Sequence, residues 1–331
     1  MADYRLFGAE TSPYSVKVRA ALRYKGAKFD WIARSQATEA DFKALAKAPT
    51  VPLLVAPGRP VSQDSTAMLA ALEEDRPEPA TVPADPACTA LALVLEDYGD
   101  EWLNKAMFHE RWCGSPDREA ASLRLLTQML GEPLPDNAGA LQASISESMV
   151  GRLDLVGAGE KNAKVLKGSF QRFAELLDDH LKETLYIFGG RPTAADFSVA
   201  AQLRQMLDDP TPGEWLRDRA PFVVEWCELM DTPTASGDFK SLEELKPTLT
   251  PLFAKEVAKT YLVWAPANAA AQAAGEGAVK VKIDRKNYEQ TAQSYAAKSF
   301  GAVRGAVQAV MAESDDLTAF LKKTKILPTF E

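Results

Sequence analysis

The pattern of hydrophobic and polar residues in the first quarter of the chain alternates between two periods. Short apolar stretches, which predict strands, are separated by segments whose apolar residues recur at helical spacing. The predicted strands cover residues 4–10, 28–34, 51–55 and 61–62, and the predicted helices cover residues 13–25, 38–47 and 66–74. Residues 1–76 are therefore expected to form an α/β domain with the element order βαβαββα.

The pattern changes after residue 76. Four prolines between residues 77 and 86 predict a linker without regular structure. Beyond the linker, strands nearly disappear and apolar residues recur at helical spacing. Helices are predicted at residues 87–112, 116–131, 139–154, 161–185 and 218–231. Another is predicted to begin at Thr193, because Thr193 and Asp196 have the spacing of a capping box in which Asp replaces Glu. Residues 87–247 are therefore expected to form an all-α domain.

Residues 248–331 form a long C-terminal extension with a mixed pattern. Helices are predicted at residues 248–274 and 291–313. Between them, residues 279–283 alternate in polarity and are followed by Asp284-Arg285, which predicts a small hairpin. We expect the extension to be helical apart from this hairpin.

Composition excludes several kinds of partner. The chain has 331 residues, of which 46% are apolar and 25% charged, so it is long enough for two domains with buried cores. Its net charge of −8 argues against nucleic acid or an anionic membrane as a partner. The N-terminus lacks the basic and apolar segments of a secretion signal, and no apolar run is long enough to span a bilayer. We therefore expect a cytoplasmic protein.

Cysteine and histidine are scarce. The chain has three cysteines (Cys88, Cys113 and Cys227), far apart and outside any CxxC spacing, and two histidines (His109 and His180). This pattern argues against a disulfide framework, a dithiol centre and a zinc site. The sequence therefore predicts that the protein binds no metal.

The start of the first helix is the strongest candidate for a binding site. Ser12 stands at the N-cap position and Pro13 at the first helical position. The N-terminal end of a helix presents unpaired N–H groups and the positive end of the helix dipole, which stabilise an anion such as a thiolate. Ser12 is thus either an ordinary helix cap or a hydroxyl donor to a bound anion.

Four short motifs occur in an order that matches a known family. They are Ser12-Pro13-Tyr14 followed by Val18 to Leu22, then Val51-Pro52, then Gln63-Asp64-Ser65, and finally Thr193 to Asp196. With the predicted layout, they resemble the cytosolic glutathione transferase superfamily, in which a thioredoxin-like α/β domain precedes an all-α domain. The first motif is similar to the Ser-Pro-Phe of tau-class enzymes, and omega-class enzymes have Cys-Pro-Phe there. The resemblance covers about residues 4–230.

The resemblance implies that glutathione is a co-substrate and that the first two motifs hold its central part. Ser12 would donate to the glutathione thiolate, with Tyr14 as the alternative donor. A cis peptide bond at Pro52 would turn the backbone N–H and C=O of Val51 toward the cysteinyl part of glutathione, which could then pair like an added strand.

The third motif would bind the glutamyl end of glutathione. The hydroxyl and N–H of Ser65 suit the glutamyl carboxylate, and Asp64 or Gln63 suits the ammonium group. The alternative interpretation of Asp64 and Ser65 is a routine helix cap. Tau-class enzymes have a lysine just before Val-Pro, whereas this chain has Pro49 and Thr50, which predicts a low affinity for glutathione.

The resemblance also implies a second-substrate pocket, a small hydrophobic electrophile as substrate, and a homodimer. The residues assigned to this pocket are Tyr14, Phe108, His109, Arg111 and Trp112. Core packing is the alternative for Tyr14 and Trp112, and a solvated surface is the alternative for His109 and Arg111.

The expected function is therefore conjugation or lysis of an electrophile by the glutathione thiolate. Two other functions remain to be compared with it. A non-catalytic glutathione- or ligand-binding protein is favoured by Thr50. Thiol–disulfide chemistry is disfavoured, because it requires a cysteine where Ser12 stands.

Overall fold

The computed structural model describes residues 3–331 and begins with a three-stranded mixed sheet. The strands are β1 (Tyr4–Gly8), β2 (Phe29–Ala33) and β3 (Leu53–Val55), in the order β2-β1-β3. β1 is parallel to β2 and antiparallel to β3. The helices of this domain are α1 (Pro13–Tyr24), α2 (Glu39–Leu45) and α3 (Ser65–Asp75).

The predicted fourth strand at residues 61–62 is wrong as a strand. The structure has only an isolated bridge, in which Leu54 and Ser62 exchange backbone hydrogen bonds of 2.9 and 3.1 Å. Pro60 has no N–H to extend the ladder, and Asp64 already caps α3, so only residues 61–63 remain between them for pairing.

The alternation of β1 places apolar residues on both faces of the sheet. Leu6 joins the large core that α1 and α3 cover, with Leu22 and Leu72. Its neighbour Phe7 points to the opposite face and packs with Phe42 of α2 in a small second core. The sheet is therefore covered on both faces.

The helical domain begins with one long interrupted helix. It consists of α4 (Pro86–Asp97), a π-helical stretch (Tyr98–Leu103) and α5 (Asn104–Cys113). A Cβ atom on Gly99 would lie 2.3 Å from the Ser198 hydroxyl, so glycine permits the close approach of another helix here.

The remaining helices of this domain confirm the predicted all-α character. They are α6 (Ser115–Leu130), α7 (Ala138–Val150), α8 (Leu153–Val156), α9 (Ala163–Leu181), α10 (Ala194–Leu207), α11 (Pro210–Arg219) and α12 (Pro221–Leu229). The cap that the sequence predicts before α10 is present, because Thr193 N–H donates to Asp196 at 2.8 Å.

The extension contains four helices and an antiparallel hairpin, and its predicted start at residue 248 lies inside a fifth helix that begins at Leu242. The helices are α13 (Leu242–Lys255), α14 (Tyr261–Ala273), α15 (Ser294–Met311), α16 (Asp315–Lys323) and α17 (Leu327–Phe330), and the strands are β4 (Ala278–Ile283) and β5 (Lys286–Thr291). The single helix predicted at residues 248–274 is two helices, which are separated at residues 256–260. The buried carboxylate of Glu256 lies at this break.

The extension is part of the main core rather than a separate unit. Glu256 accepts hydrogen bonds from Tyr98 (3.1 Å) and Arg172 (2.6 Å), both in the helical domain. Burial raises the pKa of the Glu256 carboxyl to about 7. In the part of the chain that the structure describes, no helix has the length and apolar character that crossing a membrane requires.

Candidate functional site

A cavity of about 740 Å³ lies between the α/β domain and the helical hairpin formed by α6 and α7. The α/β domain contributes the ends of β1 and β2 and the loop before β3, including Ala9, Arg34 and Val51. This volume falls within the range of small-molecule sites. A second pocket, between α1, α10 and α12, has about 10 Å³ and is large enough only for a water molecule.

Ser12 stands at the N-terminal end of α1, beside the cavity wall. Its N–H donates to the carbonyl of Ala9, a cavity residue, at 3.1 Å. Its hydroxyl oxygen accepts the Ser15 N–H at 3.3 Å. The side chain therefore caps its own helix, which is one of the two roles that the sequence left open. Among the described residues, the Ser12 hydroxyl donates to none, so its proton is available to a ligand.

The hydroxyl of Tyr14, the alternative donor, already has an acceptor. It donates to the backbone carbonyl of Asp100 at 2.8 Å. Burial, followed by the charges of Glu101 and Asp100, raises the pKa of Tyr14 well above its ordinary value. The Ser15 hydroxyl is fully buried and has no hydrogen-bond partner among the described residues. The hydroxyl groups of Tyr14 and Ser15 are therefore less available to a ligand than the Ser12 hydroxyl.

Val51 is the one predicted glutathione-binding residue that lines the cavity. The Val51–Pro52 peptide bond is cis, as the sequence predicts, and Pro52 is buried. Within residues 3–331, the N–H and C=O of Val51 take part in no backbone hydrogen bond outside the regular elements. These two groups remain available to a ligand in the cavity.

The Gln63 side chain binds the protein's own backbone rather than facing a ligand. Its carbonyl oxygen accepts from the N–H groups of Lys47 (2.7 Å) and Ala48 (3.0 Å). Its amide group donates to the carbonyls of Ala48 (2.9 Å) and Thr50 (2.7 Å). All four hydrogen-bonding capacities are thus used, and Gln63 fixes the loop that leads into Val51.

Asp64 and Ser65 start α3. One oxygen of Asp64 accepts the N–H groups of Thr66 (3.1 Å) and Ala67 (3.2 Å), which is the capping role that the sequence left open. Ser65 is 8% exposed. The side chain of Tyr295, from the extension, lies beside Asp64, and burial together with that carboxylate raises the pKa of Tyr295. The extension therefore reaches the predicted glutamyl end of the site.

The resemblance implies glutathione as co-substrate, and on that expectation Gln63→Ala should raise the KM for glutathione about tenfold and change kcat less. The substitution removes the four hydrogen bonds that hold residues 47–50 and thereby position Val51; tenfold corresponds to about 1.4 kcal/mol. Steady-state kinetics with varied glutathione measures the effect. Gln63→Glu keeps the hydrogen-bond acceptor and loses the donors, so its KM for glutathione should lie between the values for the unmodified protein and for Gln63→Ala. An unchanged KM in both variants would exclude this positioning role.

None of the five residues assigned to the second-substrate pocket lines the cavity. Arg111 is 3% exposed; it donates to Asp209 at 2.8 Å and to Gln205 at 2.9 Å. Trp112 is 3% exposed and packs against Phe108, and Tyr14 is occupied as described. The cavity wall is formed instead by α6 and α7, which the sequence predicted only as helices.

The contact between the two domains includes a buried charge cluster that the sequence did not indicate. Lys17 of α1 is 1% exposed, forms an ion pair with Glu96, and donates to Asp100 at 2.6 Å. Asp100 also accepts from Ser198 at 2.6 Å. Lys17 follows Tyr14 by three residues and therefore lies on the same buried face of α1. This spacing is the sequence signal from which the burial of Lys17 could have been predicted.

Three side chains, two from α5 and one from the segment before α9, could hold a metal ion. His109, Cys113 and Glu160 each bring one ligand atom within 4.8 Å of the others, the one such group within residues 3–331. These are ligand types that zinc accepts. His109 Nδ1, however, already lies 2.8 Å from the carbonyl of Ala158 and 3.2 Å from Cys113 Sγ. The predicted absence of metal stays a prediction.

The chain thus has a thioredoxin-like α/β domain joined to an all-α domain, with a helix N-terminus beside a cavity between them. Two family models match the chain in the corresponding order. The glutathione S-transferase N-terminal domain matches residues 6–80, and the glutathione S-transferase C-terminal domain matches residues 142–229. The chain belongs to the glutathione S-transferase superfamily, as the motifs predict. No curated protein sequence matches it.

Solved structures with a similar fold include several superfamily members. A glutathione S-transferase from Rhodospirillum rubrum F11 is 21% identical over 76% of this chain and 91% of its own, with a TM-score of 0.45. Beta-etherase LigF from Sphingobium sp. strain SYK-6 is 17% identical over 75% and 98%, with a TM-score of 0.48. Maleylacetoacetate isomerase from Anaeromyxobacter dehalogenans 2CP-1 is 19% identical over 78% and 92%, with a TM-score of 0.39. These values are too low to add to the assignment, which the two family models carry.

Proposed function

We propose that the protein is a glutathione transferase that conjugates or cleaves small electrophiles with the glutathione thiolate. The supporting observation is that the free donors of the α/β domain occur together at one end of the sheet. The Ser12 hydroxyl proton and the Val51 N–H have no acceptor among the described residues, and Val51 and Ala9 both line the cavity. A tripeptide thiol with a second small molecule is of a size that this cavity accommodates.

The proposed chemistry requires an ionised thiol. The ordinary pKa of a thiol is about 8.5, and only the thiolate is a good nucleophile. The Ser12 hydroxyl and the positive end of the α1 dipole would stabilise the thiolate and lower its pKa. The thiol proton passes to solvent, the sulfur forms a bond to the electrophilic carbon, and the leaving group departs with its electron pair.

Calorimetry and a conjugation assay on the unmodified protein test this proposal together. We expect glutathione to bind in the millimolar range, because Pro49 and Thr50 stand immediately before Val51, where tau-class enzymes have a lysine. Activated chloronitrobenzenes should react faster with the protein than with glutathione alone. If the protein neither bound glutathione at millimolar concentration nor accelerated the reaction, the transferase proposal would be excluded.

A non-catalytic binding protein is the second candidate function. The contacts of three predicted site residues favour it. The Ser12 hydroxyl caps its own helix, and Gln63 and Asp64 are also engaged by backbone groups. Glutathione binding without any acceleration of conjugation would select this function. A homodimer, a cytoplasmic location and a hydrophobic electrophile remain part of the proposal.

A further inference from the structure

The cavity wall contributed by α7 carries a polar stripe that ends in a cation. Ser144, Ser148 and Arg152 all line the cavity and follow each other at intervals of four residues. Residues at this spacing lie on one side of a helix. Arg152 stands two residues beyond the end of α7, where the backbone keeps a helical conformation. The stripe therefore leads along the wall to a guanidinium group.

The rest of the wall from α6 and α7 is apolar except for Gln128, whose side-chain oxygen accepts the Glu10 N–H at 2.8 Å. Ile145 and Met149 of α7 and Leu125 and Met129 of α6 also line the cavity. Ile145 and Met149 follow Ser144 and Ser148 by one residue each, so an apolar stripe runs beside the polar one. Methionine side chains adapt to ligands of different shape. The wall thus suits a ligand with an apolar body and one polar edge.

Arg152 is the cation of the cavity that lacks an anionic partner. Arg34, the other arginine in the wall, donates to both carboxylate oxygens of Glu39, at 2.9 and 3.1 Å, and to the carbonyl of Pro49. The hydrogen bond from Arg34 lowers the pKa of Glu39. Both side chains are therefore ionised, and their opposite charges cancel. Within residues 3–331, Arg152 forms no ion pair, its side chain is exposed, and the one hydrogen bond that it makes is to the Met149 sulfur, at 3.7 Å.

The charge of the cavity is therefore opposite to that of the whole protein. Two arginines and one glutamate line it, which leaves one positive charge, whereas the chain as a whole carries −8. Arg152 is exposed to solvent at the cavity, so its attraction for an anionic group is partly screened and acts at short range. Arginine presents two parallel N–H donors that match a carboxylate.

We infer that the second substrate is an apolar electrophile that carries a carboxylate or similar planar anionic group, which Arg152 binds at the end of the α7 stripe. This inference rests on the proposed transferase function and names its substrate class. The apolar body lies against α6 and α7, and the anionic group lies at Arg152. The electrophilic carbon then faces Val51 and the end of β1, on the opposite wall.

The test compares two electrophiles of the same shape, 4-chloro-3-nitrobenzoate and 4-chloro-3-nitrobenzamide. Each kcat/KM is divided by the rate constant of the spontaneous reaction with glutathione, which removes the difference in intrinsic reactivity. We expect the protein to favour the acid about fivefold to tenfold. In Arg152→Gln this preference should fall to about one. Arg304→Gln, an exposed arginine of α15 outside the cavity, should keep the preference and serves as the matched control.

The possible outcomes separate this inference from the proposed function. Equal use of the acid and the amide by the unmodified protein overturns the inference and leaves the transferase function in place. An Arg152→Gln variant that raises the KM for glutathione but keeps the preference also overturns it, because Arg152 then serves glutathione. If neither compound is conjugated, the transferase function fails. Calorimetric binding of the acid, weakened by Arg152→Gln, then still decides whether the cavity selects an anion.

Discussion

Replacing Ser12 with alanine is expected to lower kcat/KM for glutathione conjugation by roughly 10- to 100-fold. A hydrogen bond to a charged group contributes about 1.5–3 kcal/mol, and each 1.4 kcal/mol corresponds to a factor of ten. The variant should also shift the pH profile of kcat/KM upward, since the bound thiol would lose one donor that lowers its pKa. Rates measured between pH 6 and pH 9 give both effects.

Two further variants separate this catalytic role from a structural one. Ser12 also caps α1, and loss of an N-cap costs about 0.5–2 kcal/mol, so the free energy of unfolding of each variant must be measured. Ser12→Thr keeps a hydroxyl and should restore most of the rate. Ser15→Ala removes a buried hydroxyl without a partner in the described chain, and it should leave the rate unchanged. If Ser12→Ala conjugated as fast as the unmodified protein, Ser12 would have no part in the mechanism.

Replacing Lys17 with methionine is expected to lower the free energy of unfolding by about 3–5 kcal/mol at pH 7. The change leaves Glu96 and Asp100 without their cation at the contact between the two domains, where both carboxylates are buried. Breaking a buried ion pair from one side has an effect of this size, because the remaining charge loses its compensation. Urea unfolding at equilibrium, followed by circular dichroism, measures it.

The stability deficit of Lys17→Met should grow as the pH rises. Burial raises the pKa of Glu96, and Lys17 is the largest influence that lowers it. Without Lys17, the folded-state pKa rises further above the unfolded-state value. A carboxyl group of this kind contributes its stability below the unfolded-state pKa and loses it as the pH rises through the folded-state pKa. The deficit should therefore be smaller at pH 5 than at pH 8.

The hairpin offers a matched control for this variant. Lys280 and Glu289 form an ion pair of 3.6 Å in which the lysine side chain is 71% exposed. Lys280→Met should change the free energy of unfolding by less than about 1 kcal/mol. Similar losses in both variants would mean that the cluster around Lys17 has no special role.

Local signals predicted most of the secondary structure. Pro13 and Gly26 mark the ends of α1, and Gly26 has the positive φ (59°) that a residue after a helix commonly adopts. The Asp196 cap of α10 was also predicted correctly. These signals succeed because the groups that interact are within four residues of each other. The prediction of a fourth strand at residues 61–62 was wrong, because the number of residues between the preceding turn and α3 limits how far strand pairing can extend.

The candidate site was predicted less completely. Val51 could be identified because a short motif marks it, and the structure places it in the cavity wall. The sequence did not indicate that the side chain of Arg111 binds Asp209 or that the side chain of Gln63 binds residues 47–50, because these partners are distant along the chain. Arg152 and the polar stripe of α7 were missed entirely, since serine and arginine on a helix normally indicate a solvated face.

The sequence by itself determined the order of the elements, the helix caps and the superfamily, because each depends on residues that are close along the chain. The tertiary structure decided which charges are paired and which side chains line the cavity. Lys17 and Asp100 are 83 residues apart, and Arg111 and Asp209 are 98 apart. Such pairs form only after helices pack, and the packing of α7 against α6 likewise places Arg152 in the cavity wall.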